Sequence, residues 1–198
     1  MELLQVNGSH SLLDVACGLG RLLEVAREYT KSLHGIDVSR VATSAAKRTI
    51  SEANIVRGDA ERLPYAQSSF DRIACIASLE RMLDLNRAIG ELYRVGKPDA
   101  RYCLLLRNSN TLSWAIQSFF RLNHMDRGNA SANTLAYWTQ VIESHQFKIT
   151  AVYPDQYPLQ KLRSLLPFFS KTVDYREILK SNWRLERANE FIFLLEKR

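Results

Sequence analysis

Short apolar runs alternate with longer stretches in which apolar residues recur at helical spacing through the first half of the chain. That alternation is the pattern of a parallel sheet flanked by helices. The runs predict strands over residues 11–16, 33–38, 54–58, 71–77 and 101–107. Between them, residues 19–30, 39–52 and 84–95 place apolar side chains a helical turn apart, as in Leu22, Leu23, Val25 and Ala26, or Ile89, Leu92 and Val95. Gly96, Lys97, Pro98 and Asp99 form a turn set that ends a helix before a strand, and Leu63-Pro64-Tyr65 marks a loop. The second half is less regular. Residues 112–122 and 134–145 read as helices, and residues 147–153 and 190–196 as strands. The roughly thirty-five residues between these last two strands are too many for a plain loop. They hold two helical stretches, 159–169 and 175–185, broken by Pro167. The expectation is one α/β domain over residues 1–198 with a helical insertion at about 154–188.

Composition narrows the classes. A chain of 198 residues with 46% hydrophobic and 24% charged residues builds one core without staples, which excludes disorder as its main state. Cys17, Cys75 and Cys103 are odd in number and far apart, with no Cys/His cluster. Neither a disulfide framework nor a metal site is indicated, and a reducing, cytoplasmic setting is expected. The opening MELLQVNGSH lacks the basic and apolar regions of an export signal, and no apolar run approaches the ~18 residues that span a bilayer. The net charge of +6 is uneven. Residues 1–100 carry 13 Lys/Arg and 13 Asp/Glu, while residues 101–198 carry 14 and 8, so the second half holds the whole excess. A basic half suits an anionic substrate, membrane surface or nucleic acid, and equally a solvated basic face.

The chemistry gathers at Leu12-Leu13-Asp14-Val15-Ala16-Cys17-Gly18-Leu19-Gly20-Arg21, an apolar strand running into a small-residue turn that opens a helix. Gly18 and Gly20 let a ligand approach the backbone beside a helix N-terminus. The dinucleotide fingerprint G-x-G-x-x-G/A fails at Leu23, and the triphosphate loop G-x-x-x-x-G-K-[ST] is absent. Asp37 ends the second predicted strand, where a carboxylate accepts hydrogen bonds from ribose hydroxyls, and Asp59 ends the third, within reach of an adenine amine. Either residue alone reads first as a cap or turn former. Three acidic groups at successive strand ends mark the edge where open α/β sheets bind ligands.

With these residues in order, the chain resembles class I S-adenosylmethionine-dependent methyltransferases, nearest the ubiquinone/menaquinone-biosynthesis type of small-molecule enzymes. The resemblance rests on LLDVACGLGR, HGIDVS, VRGDAERLPYAQSSFDRI and ELYRVGKPDARYCLLLR, spread over the first 107 residues. It implies a Rossmann-like seven-stranded, mostly parallel sheet with helices on both faces, the last strand (EFIFLLEKR) inserted antiparallel beside the fifth. It also implies S-adenosylmethionine as cofactor. Asp14 and the backbone of Ala16, Cys17, Gly18 and Gly20 would then hold the methionine part, and Asp37 the ribose. Val38 would pack on the adenine, Asp59 and Ala60 would contact the base, and Ile76 would lie beneath the cofactor.

The chain departs from the family pattern in places. Ala16 stands where the loop's first glycine is usual, Arg81 where many relatives carry a histidine, and Asp99-Ala100 where Gly-Gly follows Lys-Pro. Only ten residues precede the first strand, against some thirty or more in relatives. No catalytic base stands out: His124, Glu80 and Tyr65 are candidates that read more readily as a surface histidine, a helix-start residue and a packing aromatic. The [DN]-P-P-[YF] element and a Pro-Cys pair are absent, which favours a small-molecule or lipid-like acceptor over nucleic acid. The insertion interleaves Lys161, Arg163, Lys171, Arg176, Lys180, Arg184 and Arg187 with Leu165, Leu166, Phe168, Phe169 and Trp183. That mixture covers an apolar acceptor, rests on an anionic membrane, or simply packs on the sheet with its charges in water. Two other readings stay open: a degenerate cofactor-binding domain serving as a partner subunit in an oligomer, and an RNA or DNA methyltransferase.

Overall fold

The computed structural model describes residues 1–111, 132–155, 185 and 188–198. His124, the predicted helix at 112–122 and nearly all of the 154–188 insertion lie outside them. The strands are β1 (Ser11–Val15), β2 (Ser32–Asp37), β3 (Asn54–Arg57), β4 (Phe70–Ile76), β5 (Gly96–Arg107), β6 (Phe147–Asp155) and β7 (Glu190–Lys197). They form one sheet in the order β3-β2-β1-β4-β5-β7-β6. The first five pair in parallel, and β7 lies antiparallel between β5 and β6, as the resemblance implied. Helices α1 (Arg21–Ala26), α2 (Arg40–Thr49), α3 (Leu85–Val95) and α4 (Leu135–Ser144) complete the described elements, with a 3-10 turn at Leu79–Arg81.

Strand parity sorts the core. Successive strand side chains point to opposite faces, so a sheet covered on both sides buries both sets along its central strands β1 and β4. Leu13, Val15, Ile73, Cys75, Leu104 and Leu106 pack with Ala88, Ile89 and Leu92 of α3 and Trp138 and Ile142 of α4. Leu12, Ala74, Cys103 and Leu33 pack on the other face with Leu23 and Ala26 of α1 and Ala46 of α2. Three of the four described helices start at a side-chain cap: Ser39, Asp84 and Thr134 each accept the N–H three residues on, at 3.0–3.2 Å.

The turn predicted at residues 96–99 is instead the start of β5. Gly96 pairs with Phe70, and the register then shifts so that Arg101 meets Arg72. The four residues between form a bulge, which accommodates Pro98 because no ladder bond is asked of it. A Cβ on Gly96 would collide with the Tyr102 hydroxyl, so glycine is required where the strand begins.

Asp71 ties the lower ends of β1, β4 and β5 together. It accepts the Ser11 N–H at 2.9 Å and the Ser11 hydroxyl at 2.7 Å, and pairs with Lys97 Nζ at 2.8 Å. Burial alone would raise its pKa, but these hydrogen bonds and the Lys97 charge outweigh it and hold the carboxyl at about 2. A pKa below the unfolded value gives stability that is present above about pH 4 and lost as pH falls toward 2. Asp71→Asn is expected to remove about 1–2 kcal/mol at neutral pH, after discounting for partial exposure, and to flatten that acid limb. Urea unfolding followed by circular dichroism between pH 2 and 6 checks it.

Candidate active site

The sheet reverses direction beside β1: the chain steps outward through β2 and β3, then returns to place β4 on the other side. Loops leaving β1 and β4 therefore diverge, and the crevice between them is where open α/β sheets bind ligands. Both strands end in left-handed backbone, Ala16 at φ 59° and Ala77 at φ 51°. The β1 loop continues through Gly18 at φ 52° and Gly20 at φ 80°. It is fixed by the Cys17 N–H donating to the Ile36 carbonyl at 3.0 Å and the Gly20 N–H donating to the Cys17 carbonyl at 2.8 Å. A Cβ on Gly20 would stand 2.7 Å from Ile50 Cδ1 and 3.2 Å from Ala46 Cβ of α2. Gly20→Ala is expected to cost about 1–2 kcal/mol from the left-handed backbone alone, with the overlap adding to it. A thermal melt against the wild-type chain measures the loss.

Two cavities flank this loop and share Ala16. One, of about 430 Å³, is lined by Asp37, Val38, Gly58, Asp59 and Ala60 from the ends of β2 and β3, and by Ser78, Arg81, Met82 and Leu83 beyond β4. The other, of about 450 Å³, is lined by Asp14, Cys17 and Ile76, with Leu19, Arg21, Leu22, Val25 and Met1. Eight of the ten residues singled out in the sequence thus face one cavity or the other; Gly18 and Gly20 instead shape the loop between them.

The three carboxylates differ in environment. Asp37 accepts the Gly18 N–H at 2.8 Å on one oxygen and the Ser39 N–H at 2.8 Å on the other, which orients both toward the crevice. Each oxygen keeps a lone pair for a further donor. Asp59 accepts the Glu61 N–H at 2.9 Å in a turn. Asp14 is 3% exposed; burial first and the Asp37 charge second push its carboxyl up to about 8. The same burial, with Asp14 and Asp37 adding to it, pushes the Cys17 thiol up to about 12, which removes it as a nucleophile at neutral pH. Val38 stands beside Asp37 and is 69% exposed, a large apolar side chain with an open face.

Neither described candidate for a base faces these cavities. Glu80 is turned inward: its carboxylate is sealed from solvent, with Oε1 3.2 Å from Arg107 Nε, and burial raises its pKa above the usual carboxylate range. The Tyr65 hydroxyl is buried and raised to about 12, its ring 4.9 Å from that of Phe70 in an edge-on contact. Sequence reasoning named Arg81 only as a departure and did not single out Ser78, Met82, Leu83, Leu19 or Val25. The signal available was their position directly after the ends of β4 and β1. Among the described residues no trio of His, Cys, Asp or Glu is placed to hold a metal ion, and no helix is long and apolar enough to cross a membrane.

Residues 13–104 match the family described as methyltransferase domain. Methyltransferase GfsG of Streptomyces halstedii is 37% identical over 110 residues, 52% of this chain and 40% of that protein. A demethylmenaquinone methyltransferase of Oceanobacillus iheyensis is 29% identical over 128 residues, 61% of this chain and 54% of that protein. The crystal structure of an S-adenosylmethionine-dependent methyltransferase from Thermotoga maritima superposes with a TM-score of 0.74 at 15% identity, over 96% of this chain and 83% of that one. The chain spans about half the length of the curated relatives it matches. In sequence and in fold it resembles the class I S-adenosylmethionine-dependent methyltransferases.

Proposed function

We propose that the chain transfers a methyl group from S-adenosylmethionine to a small-molecule or lipid-like acceptor. The observation that carries the reading is Asp37, held by two backbone N–H groups at the end of β2 with acceptor capacity left over and an exposed apolar Val38 next to it. A carboxylate prepared in this way suits a pair of ribose hydroxyls, and the apolar neighbour suits the face of a purine. Asp59 and Ala60 would contact the base from β3, while Asp14, Cys17, Ile76 and the loop from Ala16 to Gly20 would hold the methionine part in the second cavity. Cavities of 430 and 450 Å³ meeting at Ala16 match the two-part shape of that cofactor, each within the range of small-molecule sites.

When bound, the cofactor supplies a methyl on a sulfonium, already activated for in-line displacement. The protein's work is then alignment of the acceptor and exclusion of water. The inward-facing Glu80 and Tyr65 fit such a division of labour, in which the acceptor brings its own nucleophile. Isothermal titration of the full chain with S-adenosylhomocysteine tests the reading, and no heat at millimolar ligand counts decisively against it. Binding without turnover on quinol, phenol, carboxylic-acid or amine acceptors would favour the partner-subunit alternative. Salt-dependent RNA or DNA binding would favour a nucleic-acid acceptor.

A further inference from the structure

We infer that Arg81 makes the β4 side of the cavity it shares with Asp37 and Asp59 a receptor for the anionic head of an apolar-bodied acceptor, a carboxylate or phosphate. The inference rests on the methyl-transfer reading and names the acceptor's chemistry. The 3-10 turn after β4 splits two neighbouring charges. Glu80 goes inward to Arg107, while Arg81 is exposed and lines the cavity. Among the described residues it is the one cation lining that cavity, and its guanidinium makes no ion pair or side-chain hydrogen bond with any of them.

The acids lining the same cavity are already engaged by backbone donors. Asp37 takes Gly18 and Ser39, Asp59 takes Glu61, and Glu61 Oε1 takes the N–H groups of Leu83 at 2.6 Å and Asp84 at 3.0 Å. Arg81 pairs with none of them. A guanidinium offers a fork of donors matched to two oxygens of a carboxylate or phosphate. Beside it stand half-buried Met82 and Leu83, which is 77% exposed, so the head-group site continues into apolar surface. Asp37 and Asp59 belong to the β2 and β3 ends of the cavity; Arg81 is left for the molecule that meets the cofactor.

The test loads the full chain with S-adenosylhomocysteine and titrates octanoate, octyl phosphate, octanol and octylammonium. Octanoate or octyl phosphate is expected to bind about tenfold or more tightly than octanol, with octylammonium weakest, and the better of the two anions identifies the head group. Arg81→Gln is expected to erase the preference, and Arg81→Lys to keep part of it, with S-adenosylhomocysteine affinity within twofold of wild type in both. Equal binding of anion and alcohol by the loaded wild-type chain overturns the inference and leaves the methyl-transfer reading standing. So does a loss of cofactor affinity in Arg81→Gln that matches any loss for the anion. Failure of the wild-type chain to bind S-adenosylhomocysteine removes the reading itself, and the inference with it.

Discussion

Asp37→Ala is expected to weaken S-adenosylhomocysteine binding at least ~100-fold while the chain stays folded. A hydrogen bond to a charged acceptor contributes about 1.5–3 kcal/mol, so if Asp37 accepts from both ribose hydroxyls as proposed, losing the two removes about 3–6 kcal/mol of binding. The same substitution leaves the Gly18 and Ser39 N–H groups without their acceptor, which loosens the loop that must lie against the ligand. Helix α2 keeps its own cap, because the Ser39 hydroxyl accepts the Ala42 N–H independently of Asp37. The stability cost is therefore expected to stay near ~1 kcal/mol, far below the binding loss. Asp37→Asn retains an oxygen acceptor but loses the charge, and is expected to fall between, at about tenfold. Calorimetric titration of the three chains, with thermal melts as folding control, measures both quantities. An Asp37→Ala affinity within threefold of wild type would exclude the carboxylate from the site.

Much of this arrangement was legible before any coordinates. The parity of β1, with Leu12 on one face and Leu13 and Val15 on the other, already states that both faces are covered. Gly20 was legible as a turn glycine from the small-residue run that opens a helix, but its packing under Ile50 and Ala46 at φ 80° was not. Other features depend on distant partners. The strand start at Gly96 is hidden behind a true turn signal, because what makes it a strand is Phe70 across the ladder and the Tyr102 hydroxyl above it. Helix α1 was expected over residues 19–30 and spans only Arg21–Ala26, since apolar spacing continues past the point where the backbone turns toward β2. The sequence shows that Ala16 stands where glycine is usual, but not that at φ 59° it is held in strained backbone at the centre of the crevice. The walls beyond β4, Ser78 to Leu83, carry no periodicity or motif. They become a site only because the sheet order brings the end of β4 beside the end of β1, facing the ends of β2 and β3 across the cavity.

Asp14 illustrates the same limit with a larger consequence, since residue type names a carboxylate and only burial sets its charge. Its pKa of about 8 lies above the ordinary value of 3.8, with burial the larger cause and the Asp37 charge the smaller. Between those two values the folded chain binds a proton that the unfolded chain has released. Stability is thus greatest below about pH 4 as far as this group is concerned, and falls as pH rises until it levels above about 8. The expected span is on the order of a few kcal/mol, and Asp14→Asn, which stays neutral, is expected to flatten it and to be the more stable chain at pH 8. On the proposed reading, cofactor binding has the opposite dependence. S-adenosylmethionine would bring positive charge to the cavity that Asp14 lines, which would favour the ionised carboxylate and draw its proton off below pH 8. Affinity for S-adenosylmethionine is expected to rise by up to about tenfold per pH unit from pH 6 to 8, with about one proton released to buffer. Titrations in buffers of different ionisation enthalpy count that proton directly, and Asp14→Asn should lose the pH dependence, the released proton and most of the affinity together. A wild-type affinity that is flat from pH 6 to 8 would mean that Asp14 is already ionised in the free chain, or that the ligand's positive charge lies elsewhere.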